Sequence, residues 1–400
     1  MAPRILEKSS SEYKPVGPNE RVSPLELFSL PPKPRSELEV YRILGPRAGV
    51  RVSPLCLGAM SIGDQWTGYM GTGLSGEKAF EFLDTFYEAG GNFIDTSNNY
   101  QDEQSEMIIG EWMEKRGIRD QIVLATKYTT CPVDRATGRF KGLSVNYGGN
   151  HGKSLKISVQ ESLKKLKTDY IDLLYVHWWD YGTSVQEVME NLNVLVKSGK
   201  VLYLGISDTP AWIVAQANQW ANDHGLTPFS VYQGRWSLGD RAIERDIIPM
   251  CRSLGLSLAP YGVLGQGKFK TPQELEKRSL RGGAKPTEEQ IKLSKALQEV
   301  AEEIGNGATL TGVALAWARQ NMTYCFPILG GTNIDHLKAN IAALDIELSP
   351  EQLAKLSAAG PVDLGFPYDH FGTDPHYNPG GQPNSFIMNT VANFKFVKGV

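Results

Sequence analysis

Four polar or ionisable side chains follow short apolar runs of this chain, and together they could transfer a proton. Asp95, Lys127 and His177 each stand at or just after the end of such a run, and Tyr100 lies five positions beyond Asp95. A free phenol has a pKa of about 10, which a neighbouring ammonium lowers because it favours the phenolate. Asp95 would hold the ammonium of Lys127, while His177 could orient a carbonyl or relay protons. These residue types predict an enzyme that reduces carbonyls or oxidises alcohols.

Eight short apolar runs alternate with segments of helical periodicity, a pattern that predicts a closed barrel of parallel strands. The predicted strands cover residues 55–59, 92–95, 121–126, 171–177, 203–207, 230–233, 256–260 and 325–329. Helical spacing of apolar residues predicts helices over 77–89, 106–115, 155–166, 185–196, 211–221 and 290–304. Thr287 and Ser349 each begin a capping-box sequence, which predicts a helix start at both. All strand ends of such a barrel meet on one face, where the four side chains would converge.

The alternative architecture is an open, doubly wound sheet, which would normally carry Gly-x-Gly-x-x-Gly after its first strand. Residues 60–64, after the first predicted strand, are Met-Ser-Ile-Gly-Asp and lack it. We expect residues 1–40, rich in proline, serine and charge, to form an extended leader, and residues 41–400 to form a single barrel domain. The Gly, Asn, Arg and Thr residues within 128–153 predict a long loop after the third strand. The tail, 361–400, is rich in aromatic residues, and we expect part of it to pack across the barrel mouth.

The overall composition argues against several classes of function. Lys and Arg (41) nearly balance Asp and Glu (44), so the basic footprint of a nucleic-acid-binding protein is missing. No apolar stretch approaches the roughly 18 residues of a membrane span, and the N-terminus lacks the apolar core of a secretory signal. The four cysteines are far apart, which fits a reducing cytoplasm and predicts neither disulfides nor a zinc site. For the oligomeric state, the sequence is compatible with a monomer and with a homodimer.

Three segments resemble signature sequences of the aldo-keto reductases. They are residues 94–100 (Ile-Asp-Thr-Ser-Asn-Asn-Tyr), 169–177 (Asp-Tyr-Ile-Asp-Leu-Leu-Tyr-Val-His) and 199–207 (Gly-Lys-Val-Leu-Tyr-Leu-Gly-Ile-Ser), and the similarity extends over about 41–356. The resemblance implies a (β/α)8 TIM barrel and a nicotinamide dinucleotide bound without a Rossmann fold. It also implies a catalytic tetrad of Asp95, Tyr100, Lys127 and His177. A finer branch, the fungal aryl-alcohol dehydrogenases and norsolorinic acid reductases, is similar at residues 56–60, 90–95, 109–113, 258–269 and 363–367.

The resemblance further implies a cofactor site in three parts. The nicotinamide end would contact Ser207, Asp208 and Gln233 through its carboxamide and stack on Tyr261. The pyrophosphate would lie against Gly262, Leu264, Gly265, Gly267 and Lys268, with Arg278 and Arg281 as further candidate clamps. The adenosine phosphate would lie against Gly330, Gly331, Thr332, His336 and Asn340.

Two of these positions depart from the family's pattern. Asp208 stands where the family usually has Asn, so its carboxylate could accept a hydrogen bond from the carboxamide but not donate one. Thr332 stands where related enzymes often carry Arg, whose guanidinium would pair with a 2′-phosphate. We still expect NADPH to be preferred, with NADH as the alternative cofactor, because Lys268 or His336 could replace the missing arginine as a partner of the 2′-phosphate.

Tryptophans are the candidates for an aromatic substrate wall, and filling of the core is the alternative for each. The candidates are Trp66, Trp178, Trp179 and Trp236. Together with the tetrad they predict an oxidoreductase that reduces an aromatic aldehyde, ketone or polyketide-derived quinone to the alcohol, or runs the reverse reaction.

Three other functions use some of the same residues. The tetrad could serve a dehydration or an isomerisation in a biosynthetic pathway, or the chain could be a cofactor-sensing regulatory subunit. A metal-dependent hydrolase could use Asp95, His151 and His177, but the usual metal-binding spacing of histidines is missing. We therefore expect no metal.

Overall fold

The computed structural model describes residues 31–132, 142–270, 287–374 and 386–393. An antiparallel hairpin, β1 (Arg42–Gly45) and β2 (Ala48–Val52), comes first. Eight parallel strands then form one sheet: β3 (Cys56–Gly58), β4 (Phe93–Asp95), β5 (Val123–Tyr128), β6 (Ile171–Val176), β7 (Val201–Ser207), β8 (Val231–Arg235), β9 (Ser257–Tyr261) and β10 (Ile328–Gly330). Successive strands pair, and β10 pairs with β3. The Phe326 N–H donates to the Leu258 carbonyl at 2.9 Å, which links β9 to the segment before β10. The predicted parallel barrel and its eight strands are confirmed.

Helices alternate with the strands and surround the barrel. In chain order they are α1 (Thr67–Met70), α2 (Gly76–Glu88), α3 (Gln104–Arg116), α4 (Gly152–Lys165), α5 (Val185–Lys197), α6 (Ala211–Asp223), α7 (Ile247–Leu254), α8 (Glu288–Ile304), α9 (Leu310–Asn321), α10 (Ile334–Ala342), α11 (Pro350–Ala359), α12 (Tyr368–Phe371) and α13 (Phe386–Asn389). All six helices expected from apolar spacing are present. The capping boxes at Thr287 and Ser349 also form, at the starts of α8 and α11.

Alternation of side chains along each strand places the polar residues inside the barrel. On β5, Ala125 packs in the inner cluster of buried residues, whereas Leu124 packs in the outer cluster with the helices. Lys127 therefore occupies the next inward position, at the end of the strand. Asp95 follows the inward Phe93 on β4 in the same way. The strands thus become polar inside at their C-terminal ends, where parallel barrels carry their sites.

The hairpin of β1 and β2 was not predicted from the sequence. Its buried residues Leu44, Ala48 and Val52 belong to the inner cluster. Ser257, at the start of β9, donates a hydrogen bond to the Leu44 carbonyl. The hairpin therefore covers the N-terminal end of the barrel, away from the polar strand ends. Buried and exposed residues do not alternate along β1, and the register of its pairing with β2 shifts between Ile43 and Gly45. The sequence therefore lacks the alternation that would have predicted this strand.

The last residues of the expected leader pack against the barrel's outer layer. Leu38 is fully buried, and Ser36 Oγ donates to the carbonyl of Ala89, just after α2, at 2.8 Å. Residues 1–30 of the leader and residues 133–141 of the predicted loop lie outside the described residues.

The first part of the tail contacts the segment that follows β8. Arg245 Nη2 donates to the Asp363 carbonyl at 3.4 Å. Two aromatic rings in this part keep much of their surface free, since Phe366 is 78% exposed and Phe371 is 47% exposed. The tail aromatics Tyr377, Phe394 and Phe396 lie outside the described residues, so packing of the tail across the mouth stays a prediction.

Helices α3 and α4 touch closely at Gly110. A methyl group on Gly110 would lie 2.2 Å from the carbonyl oxygen of Lys165, at the end of α4. We expect Gly110→Ala to lower the free energy of unfolding by about 1–3 kcal/mol, because overpacking outweighs the helix propensity of alanine. Urea denaturation measures this. Gly49→Ala is the matched control, since a methyl group there meets open space. Equal stability of the two variants would contradict the close helix contact.

Candidate active site

A buried ion pair lies at the C-terminal end of the barrel. Lys127 Nζ is 2.5 Å from Asp95 Oδ1 and also donates to the Thr96 carbonyl at 2.6 Å. The Lys127 side chain is fully buried and that of Asp95 is 4% exposed. Burial acts to lower the pKa of Lys127, but the Asp95 carboxylate and the Tyr100 hydroxyl outweigh it, and the net pKa is raised. Lys127 is therefore a permanent ammonium in this site.

The hydroxyl of Tyr100 is the next member of the group. Lys127 Nζ donates to the Tyr100 oxygen at 3.4 Å, and the ammonium lies 4.9 Å from the ring centre. Burial raises the pKa of Tyr100, the charge of Lys127 opposes this, and the net pKa stays above its ordinary value. The lowered pKa expected from the cation is therefore wrong, because burial, which the sequence does not reveal, outweighs the charge. Tyr100 is consequently a protonated donor near neutral pH. The charge of Lys127 keeps the pKa of Tyr100 lower than burial alone would make it.

His177 completes the tetrad as a neutral ring. Burial and the charge of Lys127 lower the pKa of His177 to about 3. The hydroxyls of Ser97 and Thr130 lie 3.3 Å and 3.4 Å from Nδ1. Thr130 Oγ1 already accepts from Trp178 Nε1 at 3.0 Å, so its own hydrogen can point to Nδ1. Ser97 Oγ, in contrast, donates to Asn99 Oδ1 at 2.9 Å and can accept from Nδ1, so the two hydroxyls accommodate either neutral tautomer. With its proton on Nε2, His177 can donate a hydrogen bond to a substrate oxygen, but it does not relay protons as an imidazolium.

A cavity of about 1830 Å³ begins at the tetrad and runs along the barrel mouth. Asp95, Tyr100 and His177 line one end, whereas Lys127 lies behind them. All of the residues expected to bind the cofactor line this cavity except Gly265: they are Ser207, Asp208, Gln233, Tyr261, Gly262, Leu264, Gly267, Lys268, Gly330, Gly331, Thr332, His336 and Asn340. Arg278 and Arg281 lie outside the described residues. The structure therefore brings together positions that are scattered over more than half of the chain.

One hydrogen bond joins the residues expected to contact the nicotinamide to the ion pair, and another lies among those residues. Gln233 Nε2 donates to Asp95 Oδ2 at 3.0 Å. The Tyr261 hydroxyl donates to the Asp208 carboxylate, with both oxygens at 3.2 Å. Asp208 adopts a left-handed backbone conformation with φ of 41°, which aspartate tolerates better than most residues. Burial raises the pKa of Asp208, although the Tyr261 hydroxyl opposes this.

The tryptophan candidates divide into two groups. Trp178 is 40% exposed and bonded to Thr130 beside His177, and the Trp66 ring centre is 6.2 Å from that of Tyr100. Trp179 is only 8% exposed. Trp236 is 1% exposed, lies 5.0 Å from Trp317 between ring centres, and donates to Glu244. It therefore fills the core and offers no surface to a ligand, which was the alternative considered for these residues.

Comparison with known proteins identifies the family. A model described as the aldo/keto reductase family matches residues 54–360. The chain belongs to the aldo/keto reductase family. The NADP(+) aryl-alcohol dehydrogenase of Phanerodontia chrysosporium is 50% identical over 365 residues, which cover 88% of this chain and 94% of that protein. Norsolorinic acid reductase B of Dothistroma septosporum is 51% identical over 82% of this chain and 83% of its own length. The aldo-keto reductase ausK of Emericella nidulans is 51% identical, with coverages of 88% and 89%. The resemblance is thus confirmed, and the chain is an oxidoreductase.

The cavity of this reductase suits the nicotinamide dinucleotide that aldo-keto reductases use. Ser207 Oγ is buried and has no hydrogen-bond partner among the described residues, so it has capacity for a ligand amide. A methyl group on Gly267 or on Gly331 would meet only open space, so the backbone there is open to a phosphate. These features fit a cofactor with a polar amide at one end and phosphates further along.

Some residues of the reductase's site were not found from the sequence. Thr96 and Ser97 follow Asp95, and Thr130 lies beyond the end of β5, yet all three hold a member of the tetrad. The cavity is also lined by residues 305–311, which run from the end of α8 into the first turn of α9 and were not among the predicted site residues. The only sequence signal there is Gly305-Asn306-Gly307, a turn sequence that does not identify a site by itself.

The described part of the chain shows no feature that is specific to a metal-dependent hydrolase. No group of three or more His, Cys, Asp or Glu side chains lies close enough in that part to hold a metal ion. His151 instead caps α4, because its Nδ1 accepts from the Ser154 N–H at 3.2 Å. Among the same residues, every helix is too short or too polar to cross a membrane.

Lys127→Met removes the cation while preserving a chain of similar length. Because Lys127 lowers the pKa of Tyr100 against the effect of burial, that pKa should rise further in the variant. Alcohol oxidation needs the phenolate as base, so kcat for this reaction should begin to rise at a higher pH in the variant than in the unmodified protein. Near neutral pH, kcat should be at least about 100-fold lower. Steady-state pH–rate profiles measure both effects, with the exposed Lys115→Met as control. An unshifted profile would show that Lys127 serves packing alone.

Proposed function

We propose that this chain is an NADPH-dependent reductase that converts aromatic aldehydes, ketones or polyketide-derived quinones to the alcohols, or runs the reverse reaction. The observation that carries the proposal is the Tyr100 hydroxyl, 3.4 Å from the Lys127 ammonium and beside the neutral ring of His177. All three groups lie where one end of a long cavity meets the barrel. A proton donor, a fixed cation and a hydrogen-bond donor are what a carbonyl oxygen needs as it becomes an alcohol.

Side chains of this protein protonate and orient the carbonyl oxygen of the substrate. A bound reduced nicotinamide supplies the hydride that forms the new C–H bond. As the carbonyl π electrons move to oxygen, Tyr100 gives its proton to that oxygen and is left as the phenolate. Lys127 stabilises this phenolate, and Asp95 keeps the ammonium in place. Solvent then returns a proton to Tyr100. His177 holds the oxygen in line by a hydrogen bond from its neutral ring.

The aromatic preference is supported by the rings around the tetrad and by the relatives. Trp66 and Trp178 lie beside Tyr100 and His177, respectively, and Trp178 keeps part of its surface free. Flat aromatic surfaces favour planar ligands. Relatives that are half identical to this chain are named an aryl-alcohol dehydrogenase and a norsolorinic acid reductase.

The preference for NADPH is supported by basic side chains that line the cavity. Lys268 and His336 both line it, whereas Thr332, at the usual arginine position, bonds to Thr72 with 2.8 Å between the two hydroxyl oxygens. A relative with half of its residues identical carries NADP(+) in its name. Charge-assisted contacts to a 2′-phosphate would then come from a lysine in place of the arginine.

A substrate screen tests the proposed reaction. Purified protein is mixed with NADPH and with aryl aldehydes, aryl ketones, quinones or aliphatic aldehydes, and the loss of NADPH absorbance is followed. We expect the aryl compounds to be reduced. Tyr100→Phe should lower kcat at least about 100-fold while leaving cofactor affinity nearly intact, because only the proton donor is lost.

Turnover of aliphatic aldehydes alone would contradict the aromatic substrate class. NADPH binding without oxidation of NADPH by any carbonyl would instead favour the cofactor-sensing subunit. Conversion of a substrate with no net consumption of NADPH would favour dehydration or isomerisation.

Fluorescence titration with each dinucleotide tests the cofactor preference. We expect the Kd for NADPH to be at least about tenfold below that for NADH, a difference of about 1.4 kcal/mol. Lys268→Met should raise the Kd for NADPH more than the Kd for NADH, because both dinucleotides carry the pyrophosphate but only NADPH carries the 2′-phosphate. Equal Kd values in the unmodified protein would contradict the preference.

A further inference from the structure

The residues that follow Tyr100 have an unusual backbone. Gln101, Asp102 and Glu103 have positive φ angles of 52°, 51° and 77°, so three consecutive non-glycine residues are left-handed. Such a conformation is disfavoured for residues with a Cβ, and runs of it are rare. We call residues 97–104, which include this turn, the Tyr100 loop. Because the turn is intrinsically unfavourable, neighbouring contacts must hold the loop in place.

One ammonium group binds the Tyr100 loop on both sides of Tyr100. Lys165, the last residue of α4, is 7% exposed, and its Nζ donates to the Asn98 carbonyl at 3.0 Å. The same nitrogen lies 3.0 Å from Glu103 Oε1, beyond the left-handed turn. A single cation thus spans the loop from one end to the other.

The same cation is tied to the strand that carries Lys127. Lys165 Nζ is 2.8 Å from Oε2 of the fully buried Glu106, on α3. Oε1 of Glu106 accepts a hydrogen bond of 2.5 Å from Thr126, the residue before Lys127. Asn98 also reaches this strand, since its N–H donates to the Lys127 carbonyl at 3.1 Å. The loop and the strand are therefore held in one buried network.

The close contact at Gly110 makes this network possible. The absence of a side chain there lets α3 lie against the carbonyl of Lys165. The end of α4 can then reach the start of α3, where Glu103 and Glu106 lie. Burial acts to lower the pKa of Lys165, but Glu106 and Glu103 raise it overall, so the ammonium persists.

We propose that Lys165 is a positioning residue for proton transfer: its ammonium fastens both ends of the Tyr100 loop to the strand of Lys127, which keeps the Tyr100 hydroxyl within reach of the tetrad. This inference rests on the proposed reductase function for its kinetic consequence. Lys165 does not line the cavity, and none of its described contacts is with a tetrad side chain, so it acts through the loop and through Glu106. A small displacement of a reacting group is enough to lower the rate strongly.

Lys165→Met tests the inference, and Lys164→Met is its matched control. Lys164 is the preceding residue of the same helix, 71% exposed, and paired only with the exposed Glu161 among the contacts described. We expect Lys165→Met to lower kcat for aryl aldehyde reduction at least about tenfold, with the Kd for NADPH unchanged. The solvent deuterium isotope effect on kcat should increase, because proton transfer becomes slower. Lys164→Met should change none of these quantities, and Lys165→Arg should restore part of kcat.

Hydrogen–deuterium exchange provides a readout that needs no activity. The amides of residues 98–105 should exchange faster in Lys165→Met but not in Lys164→Met. If the unmodified protein reduces no aryl carbonyl, the proposed function fails while the exchange result still decides whether Lys165 holds the loop. Glu103→Gln serves if Lys165→Met does not fold, since Glu103 is 28% exposed and its loss leaves the buried Glu106 paired. It should produce a smaller change in the same direction.

Two outcomes would overturn the inference. One is a folded Lys165→Met, or Glu103→Gln in its place, with normal kcat and normal exchange in the Tyr100 loop. The other is an equal loss of kcat and cofactor affinity with an unchanged isotope effect, which would indicate a general structural role.

Discussion

The ion pair between Lys127 and Asp95 is the constraint on which the rest of the site depends. Removing two charges from water is expensive, and burial is tolerable only if their partners are placed accurately. Lys127 finds the Asp95 carboxylate and the Thr96 carbonyl, and Asp95 receives a second hydrogen bond from Gln233. These partners lie on β4, β5 and β8 or directly after them. The register of three strands is therefore tied to one pair of charges. The same burial sets the two functional ionisations, because it raises the pKa of Tyr100 and lowers that of His177.

The barrel provides this accuracy through its simplest feature, the alternation of side chains along a strand. Below the site, inward positions such as Phe93 and Ala125 form an apolar cluster that the hairpin of β1 and β2 closes at the far end. Two residues further along the same strands, the inward positions are Asp95 and Lys127. A change in register by one residue would turn both charges out of the barrel, toward the helices. The apolar cluster therefore fixes the geometry of the polar end without contacting a substrate.

The features that the sequence could predict are those determined locally. Apolar runs and capping boxes identified the strands and the main helices, and the strand ends predicted that Asp95, Tyr100, Lys127 and His177 lie close together. The sequence could not reveal the left-handed turn after Tyr100, because Gln101 and its neighbours have no glycine to indicate positive φ. It also could not place Trp236 in the core, since that depends on Trp317, a partner far along the chain. The net pKa of Tyr100 depends on burial, which only the folded structure defines.

Asp208 illustrates how the structure accommodates a departure from the family's pattern. Asp95 and Asp208 are both carboxyl groups at strand ends, but Asp95 is buried against an ammonium, whereas Asp208 keeps part of its surface exposed and faces the hydroxyl of Tyr261. The pKa of Asp208 is still raised, because the partial burial of its carboxyl group outweighs the hydrogen bond from Tyr261. A carboxyl group that takes up a proton more readily gains the donor that a carboxylate lacks. In that form it offers a donor beside an acceptor, as the side-chain amide of asparagine does. The raised pKa of Asp208 therefore shifts this residue toward the hydrogen-bonding pattern of asparagine.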